Sequence, residues 1–247
     1  MTTSLEGKVV LITGAARRVG SVIARCLHQE GVRLALHYNQ SESDAQELQQ
    51  ELNAARPDSV VLIQCNILQE KMLSTMINNA IKAWGRLDIL INNASTFYPT
   101  QIGSVTSAQW EDLMGSNLKA PFFLSQAAVP YLRQTNGCIV NIVDIHGTKP
   151  LKSHPVYSIA KAGLVMLTKS LARELGPEIR VNAVAPGAIL WPENDIDEVT
   201  KQRIISRTLL KRQGTPDDIA RAILFLIRDA DYVSGEIITV DGGRGLN

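Results

Sequence analysis

The chain carries no surplus of charge: 25 Lys and Arg stand against 24 Asp and Glu, leaving +1. Without a global field, neither nucleic acid nor an acidic membrane surface is expected as a partner, whereas a small molecule is. Cysteine is scarce. Cys26, Cys65 and Cys138 lie far apart in apolar surroundings, too few for a disulfide framework and without metal-ligand spacing, so they read as reduced core residues. No apolar run approaches the roughly 18 residues that span a bilayer. The first strand is expected within a few residues of Met1, and together these features point to a soluble, cytoplasmic protein. Also missing are a Gly/Ser/Pro linker, a repeat of short fixed period and any low-complexity tract. A single domain over residues 1–247 follows, and with 45% hydrophobic residues it can bury a large core.

What is present is a regular alternation of short apolar runs with longer amphipathic stretches. Strands are expected at 8–13, 32–38, 59–65, 87–92, 138–143, 180–184 and 236–240, and helices at 19–30, 42–55, 70–84, 107–133, 156–175 and 216–227. Repeated βαβ units of this kind build a parallel sheet with right-handed crossovers. The expected fold is therefore α/β, one doubly wound Rossmann-type domain with a seven-stranded parallel sheet flanked by helices and ligands at the carboxyl ends of its strands.

The first expected strand runs into Thr13-Gly14-Ala15-Ala16-Arg17-Arg18-Val19-Gly20, directly before an amphipathic helix. Glycine permits a tight turn and close backbone approach, and the helix N-terminus offers free N–H groups and a positive dipole to a pyrophosphate. At the end of the second strand, where an NAD-binding protein usually carries an acid for the ribose 2′-hydroxyl, the segment reads Leu36-His37-Tyr38-Asn39-Gln40-Ser41. No acid stands there. Arg17 and Arg18, with neutral donors at Asn39, Gln40 and Ser41, suit a 2′-phosphate, so NADPH is expected over NADH; the alternative is that both arginines are solvated charges of the turn.

Tyr157 and Lys161 are four residues apart at the start of an expected helix and share one face. A neighbouring ammonium favours the phenolate and is expected to lower the tyrosine pKa toward a useful range. His146 and His154 flank this segment without carboxylates at metal spacing, so they read as surface or pocket-edge residues and no metal is expected.

Taken together, these segments resemble the short-chain dehydrogenase/reductase family over essentially the whole chain. The glycine turn at Thr13–Gly20, Asn92-Asn93-Ala94, Asn117, Tyr157 with Lys161, and Pro186-Gly187 occur in that family's order. The resemblance implies that Asn92 to Ala94 steady the sheet beside the adenosine, that Asn117 holds a water of the proton relay, that Lys161 also binds the nicotinamide ribose, and that Tyr157 delivers the proton. Gly14, Arg17, Arg18, Val19, Gly20, His37 to Ser41, Asn93, Ala94, Ser95, Pro186, Gly187 and Ile189 would line the cofactor. Asn66 stands where relatives bind the adenine amine with an aspartate, a weaker, uncharged acceptor.

Two departures resemble pteridine reductases, a subgroup close to bacterial dihydromonapterin reductases. Asp144 replaces the usual catalytic serine thirteen residues before the tyrosine, and Arg18 replaces the middle glycine of the turn. His37-Tyr38, the run from Asn92 through Ser95, Phe97 and Pro99 to Thr100, Gly115-Ser116-Asn117, Ile189-Leu190-Trp191 and Asp241 to Arg244 match as well. The implied substrate is a dihydropterin or dihydrofolate. Its ring would stack on Phe97, with Ser95, Asp144, Tyr157, Leu190 and Trp191 around it; Trp191 either closes over the substrate or packs beside it. Reducing C=N needs hydride at carbon and a proton at nitrogen, a task for which Asp144 beside Tyr157 is suited. A homotetramer is implied through the long helices and the last strand, with the chain end at Arg244–Asn247 reaching a neighbouring site. The competing readings are a carbonyl reductase of a 3-oxoacyl or sugar substrate, against which Asp144 speaks, and a silent NADPH-binding regulator, against which the intact Asn117, Tyr157 and Lys161 speak.

Overall fold

A computed structural model of the chain describes residues 4–191 and 197–247. Seven strands form one parallel sheet in the order β3-β2-β1-β4-β5-β6-β7: β1 Val9–Ile12, β2 Arg33–Tyr38, β3 Val60–Gln64, β4 Ile89–Asn92, β5 Cys138–Ile142, β6 Arg180–Pro186 and β7 Ile237–Val240. β1 is apolar at every position and the other inner strands are mostly apolar, because both faces of the sheet are covered. Along β1 the side chains alternate between the two covers. Val10 and Ile12 meet Ile23 and Leu27 of α1 (Arg18–Gln29) and Ile219 and Ile223 of α8 (Pro216–Arg228). Val9 and Leu11 meet Leu73 and Ile77 of α3 (Glu70–Trp84) and Leu124 and Ala128 of α5 (Ala120–Thr135).

Between these lie α2 (Glu42–Ala55), α4 (Ser107–Met114), α6 (Pro155–Leu175) and α7 (Glu198–Ser206). From β1 the chain winds outward through β2 to β3, then returns to lay β4 on the other side of β1. That reversal opens a crevice above the carboxyl ends of β1 and β4, where open α/β sheets take ligands.

Two differences from the expected elements have local causes. The single helix expected over 107–133 is broken by a π-helical turn at Gly115–Lys119, a wider turn that hydrophobic spacing does not reveal and that recurs at functional sites. Helix α7 was not expected: it buries no side chain, so it presents no apolar stripe to read. Among the described residues no helix is long and apolar enough to cross a membrane.

Candidate active site

The glycine turn is held from behind by the β4 end. Asn93 Nδ2 donates to the Thr13 carbonyl at 2.8 Å and the Gly14 carbonyl at 2.9 Å, while Thr13 Oγ1 accepts from the Asn93 and Ala94 amides at 2.9 and 3.0 Å. Gly14 adopts φ +62°, and a Cβ there would stand 2.9 Å from Ala94 Cα. At Gly20 a Cβ would fall on the Gly14 carbonyl oxygen. Both glycines are thus required by close approach. His37 supports the turn as well: Nδ1 accepts from the Gly14 amide at 3.1 Å and Nε2 meets the Cys65 carbonyl at 2.9 Å. These bonds require the neutral ring protonated at Nε2, and burial pulls its pKa below the ordinary value. The structure therefore places His37 behind the turn, with both ring nitrogens committed to protein.

No side chain caps the N-terminus of α1 and no acid lies in its first turn, so its N–H groups are open to an anion. Arg17 and Arg18 are exposed beside it; Arg17 stands 3.8 Å from Asp44. Asn39 and Gln40 are exposed, Ser41 is half-buried, and Tyr38 packs between Ala16 and Ala45. The Asn66 carboxamide oxygen already accepts the Leu68 amide at 3.0 Å. Across the cleft, Gly187 bonds to Val240 at 3.0 Å and Ile189 is buried, while Leu190 is exposed. The Trp191 carbonyl accepts from Arg18 Nη2 at 3.0 Å, which joins the glycine turn to the loop after β6. The glycine cradle, uncapped helix and cations fit the pyrophosphate of a nicotinamide dinucleotide.

Helix α6 starts with Pro155 in its first turn, a residue whose fixed φ suits that place. Tyr157 and Lys161 follow one turn apart, both buried. Lys161 Nζ donates to the Ile142 carbonyl at 2.9 Å, and burial brings its ammonium pKa down to about 8 against the opposing pull of Asp144. The Tyr157 hydroxyl donates to Asp144 Oδ2 at 2.8 Å; Asp144 Oδ1 accepts the His146 amide at 2.8 Å. The expected direction for the phenol is corrected here. Burial first, then the charge and hydrogen bond of Asp144, push Tyr157 well above its ordinary range, and only Ser95 pulls it down. Lys161 does not set the balance, because its ammonium is turned to a carbonyl and lies 5.7 Å from the ring centroid.

The π-helical turn carries Asn117 inward, fully buried. Its Nδ2 donates to the Leu113 and Thr96 carbonyls at 2.9 and 3.0 Å, which aims Oδ1 at the Ser95 hydroxyl, 2.6 Å away. Ser95 thereby links Asn117 to Tyr157. Phe97 is half-exposed beside them, its ring perpendicular to that of Tyr157 at 4.8 Å between centroids. The structure thus brings Ser95, Phe97, Asn117, Asp144, Tyr157 and Lys161 together.

Sequence reasoning named Arg244 only as part of the tail and gave it no role beside Asp144. Arg244 lies in the electrostatic field of Asp144 of the same chain. Asp241 bends the tail back through the Gly243 and Gly245 amides at 2.8 and 2.5 Å, and Asn247 Nδ2 ties it to the Arg207 carbonyl at 2.8 Å. The matching Asp-Gly-Gly-Arg run was the signal available. Among the described residues, no cluster of three or more His, Cys, Asp or Glu could hold a metal ion.

With this geometry in hand, comparison with known proteins is informative. A family model described as enoyl-(acyl carrier protein) reductase matches residues 14–244. The chain is similar to pteridine reductase 1 of Leishmania tarentolae, at 35% identity over 100% of this chain and 99% of that protein. It is similar to 3-oxoacyl-(acyl-carrier-protein) reductases of Thermotoga maritima, at 35% over 97% of this chain and 98% of that protein, and of Staphylococcus aureus, at 36% over 96% and 97%. The two kinds of relative are about equally near, so identity alone does not choose a substrate.

Proposed function

The chain belongs to the short-chain dehydrogenase/reductase family, oxidoreductases that use a nicotinamide dinucleotide, and from that premise we propose that it is an NADPH-dependent pteridine reductase. On this reading it converts dihydropterins such as dihydrobiopterin or dihydromonapterin, and dihydrofolate, to their tetrahydro forms. The observation that carries the reading is the 2.8 Å hydrogen bond from the Tyr157 hydroxyl to the Asp144 carboxylate, with Phe97 alongside. A carboxylate against the phenol is a poor arrangement for making phenolate and a good one for storing a proton.

A nicotinamide dinucleotide, when bound, would supply hydride for the carbon of the substrate C=N bond. Tyr157 Oη delivers the proton to the nitrogen, so one hydride and one proton saturate the bond. The Ser95 hydroxyl, which donates to Asn117 Oδ1 in this structure, would turn its one proton to the oxygen left on Tyr157 and steady it. Asp144, half-buried where Tyr157 is buried, returns a proton from the open side of the cleft. Arg17, Arg18, Asn39, Gln40 and Ser41 would hold the 2′-phosphate, Lys161 would orient the nicotinamide ribose, and Phe97, Leu190 and Trp191 would enclose a flat ring. The equally near 3-oxoacyl reductases favour a second reading, in which the same phenol protonates a carbonyl oxygen.

The readings separate when NADPH oxidation by the purified protein is followed with dihydrobiopterin, dihydromonapterin and an acetoacetyl thioester. Turnover of a dihydropterin is expected. Activity on the thioester alone would overturn the proposal in favour of carbonyl reduction, and cofactor binding without turnover of any of them would favour a regulator.

A further inference from the structure

His154, at the N-cap of α6, has no part in the proton relay, yet it lies against the Phe97 ring. Its imidazole stacks on Phe97 with centroids 4.7 Å apart and planes 10° from parallel. Offset-parallel rings at this separation attract beyond the area they bury. The loop that carries His154 is staked on both sides. The Ser153 carbonyl accepts from the Thr100 amide at 2.7 Å, the Leu151 amide donates to Ser158 Oγ at 3.1 Å, and the His154 amide donates to the Leu151 carbonyl at 3.1 Å. His154 Nδ1 is bound to the Lys152 carbonyl at 2.9 Å, which sets the rotation of the ring. Phe97 itself comes from a loop and is 47% exposed, so little else immobilises it.

We infer that His154 is a positioning residue for substrate: it backs one face of Phe97 so that the other face is presented, already oriented, to a flat nitrogen heterocycle in the cleft. This rests on the pteridine reading of the site. One face of Phe97 is taken by His154 and the ring stands perpendicular to Tyr157, which leaves its second face as the shelf beside the phenol. Ordering such a ring before binding removes a cost that the ligand would otherwise bear. An acyl chain gains nothing from a flat shelf, so the pair also selects between the two substrate classes that the relatives represent.

The test is the affinity of fully oxidised biopterin for the protein with NADP⁺, measured by isothermal titration calorimetry, alongside steady-state kinetics on dihydrobiopterin. His154→Ala is expected to weaken biopterin binding and raise KM for dihydrobiopterin by about two- to tenfold, with kcat changed much less. His154→Phe, which restores a ring, is expected to recover most of the loss; a merely structural role would not follow ring character. Unchanged affinity in His154→Ala would overturn the inference, and so would tighter binding, which would mean that the imidazole occupies the place of the ligand. In both cases wild-type turnover of dihydrobiopterin leaves the pteridine reading standing. Failure of the wild type to bind biopterin or reduce dihydrobiopterin would remove that reading and this inference together.

Discussion

Burying Lys161 beneath the reacting groups gives the free enzyme an ammonium that loses its proton at pH about 8. Because kcat/KM reports groups of the free enzyme, kcat/KM for NADPH is expected to fall above about pH 8, as the cation proposed to meet the cofactor is lost. The sign follows from burial. A cation removed from water is easier to deprotonate, so its charged form persists only below the lowered pKa. Arginine stays charged throughout, so Lys161→Arg should move the alkaline limb upward even if the rate drops; a limb unmoved in that variant would assign it to another group. Reading Tyr157 from spacing alone overweighted this lysine. A four-residue spacing puts two side chains on one face, but the carbonyl to which the amine turns, and the carboxylate that the phenol meets, come from β5 and the loop after it. His154 was legible as a surface or pocket-edge residue, but its stack on Phe97 was not, since the loops of Phe97 and His154 adjoin only in the fold.

At the scale of the element, the turn between β1 and α1 concentrates the conflict between backbone and function. Arg18 opens α1 with φ +55°, a left-handed conformation that favours glycine. Replacing it by glycine should relieve about 1 kcal/mol of strain, while losing the hydrogen bond from Arg18 to Trp191 costs about as much. The two effects nearly cancel. Arg18→Gly is therefore expected to leave Tm within about 3 °C while raising KM for NADPH more than KM for NADH. A stabilised variant that keeps its NADPH preference would show that the arginine is only a solvated charge. The turn itself was legible because strand, glycine and amphipathic helix follow one another directly, and the doubly covered strands were legible as short, mostly apolar runs. The π-helical turn was not, since widening a helix by one residue leaves side chains such as Asn117 facing inward without altering composition.

For the whole molecule, the exposed apolar surface bears on assembly. Phe122 on α5 and Ile159 and Met166 on α6 are exposed apolar residues, and β7 ends the sheet with a free edge. Both features are liabilities in a lone chain, and they support the proposal of a homotetramer built on these helices and this strand. Light scattering is expected to give a mass about four times the 27.0 kDa of the chain; a monomer would refute it. The sheet order and the switch point between β1 and β4 place the cleft, and the proposal is that Asp144 decides which chemistry happens there. That claim is tested most directly by measuring kcat/KM of Asp144→Ser on dihydrobiopterin and on an acetoacetyl thioester in parallel. The account predicts a fall of about a hundredfold on the pterin with no comparable fall on the thioester, whereas full pterin activity in the serine variant would contradict it.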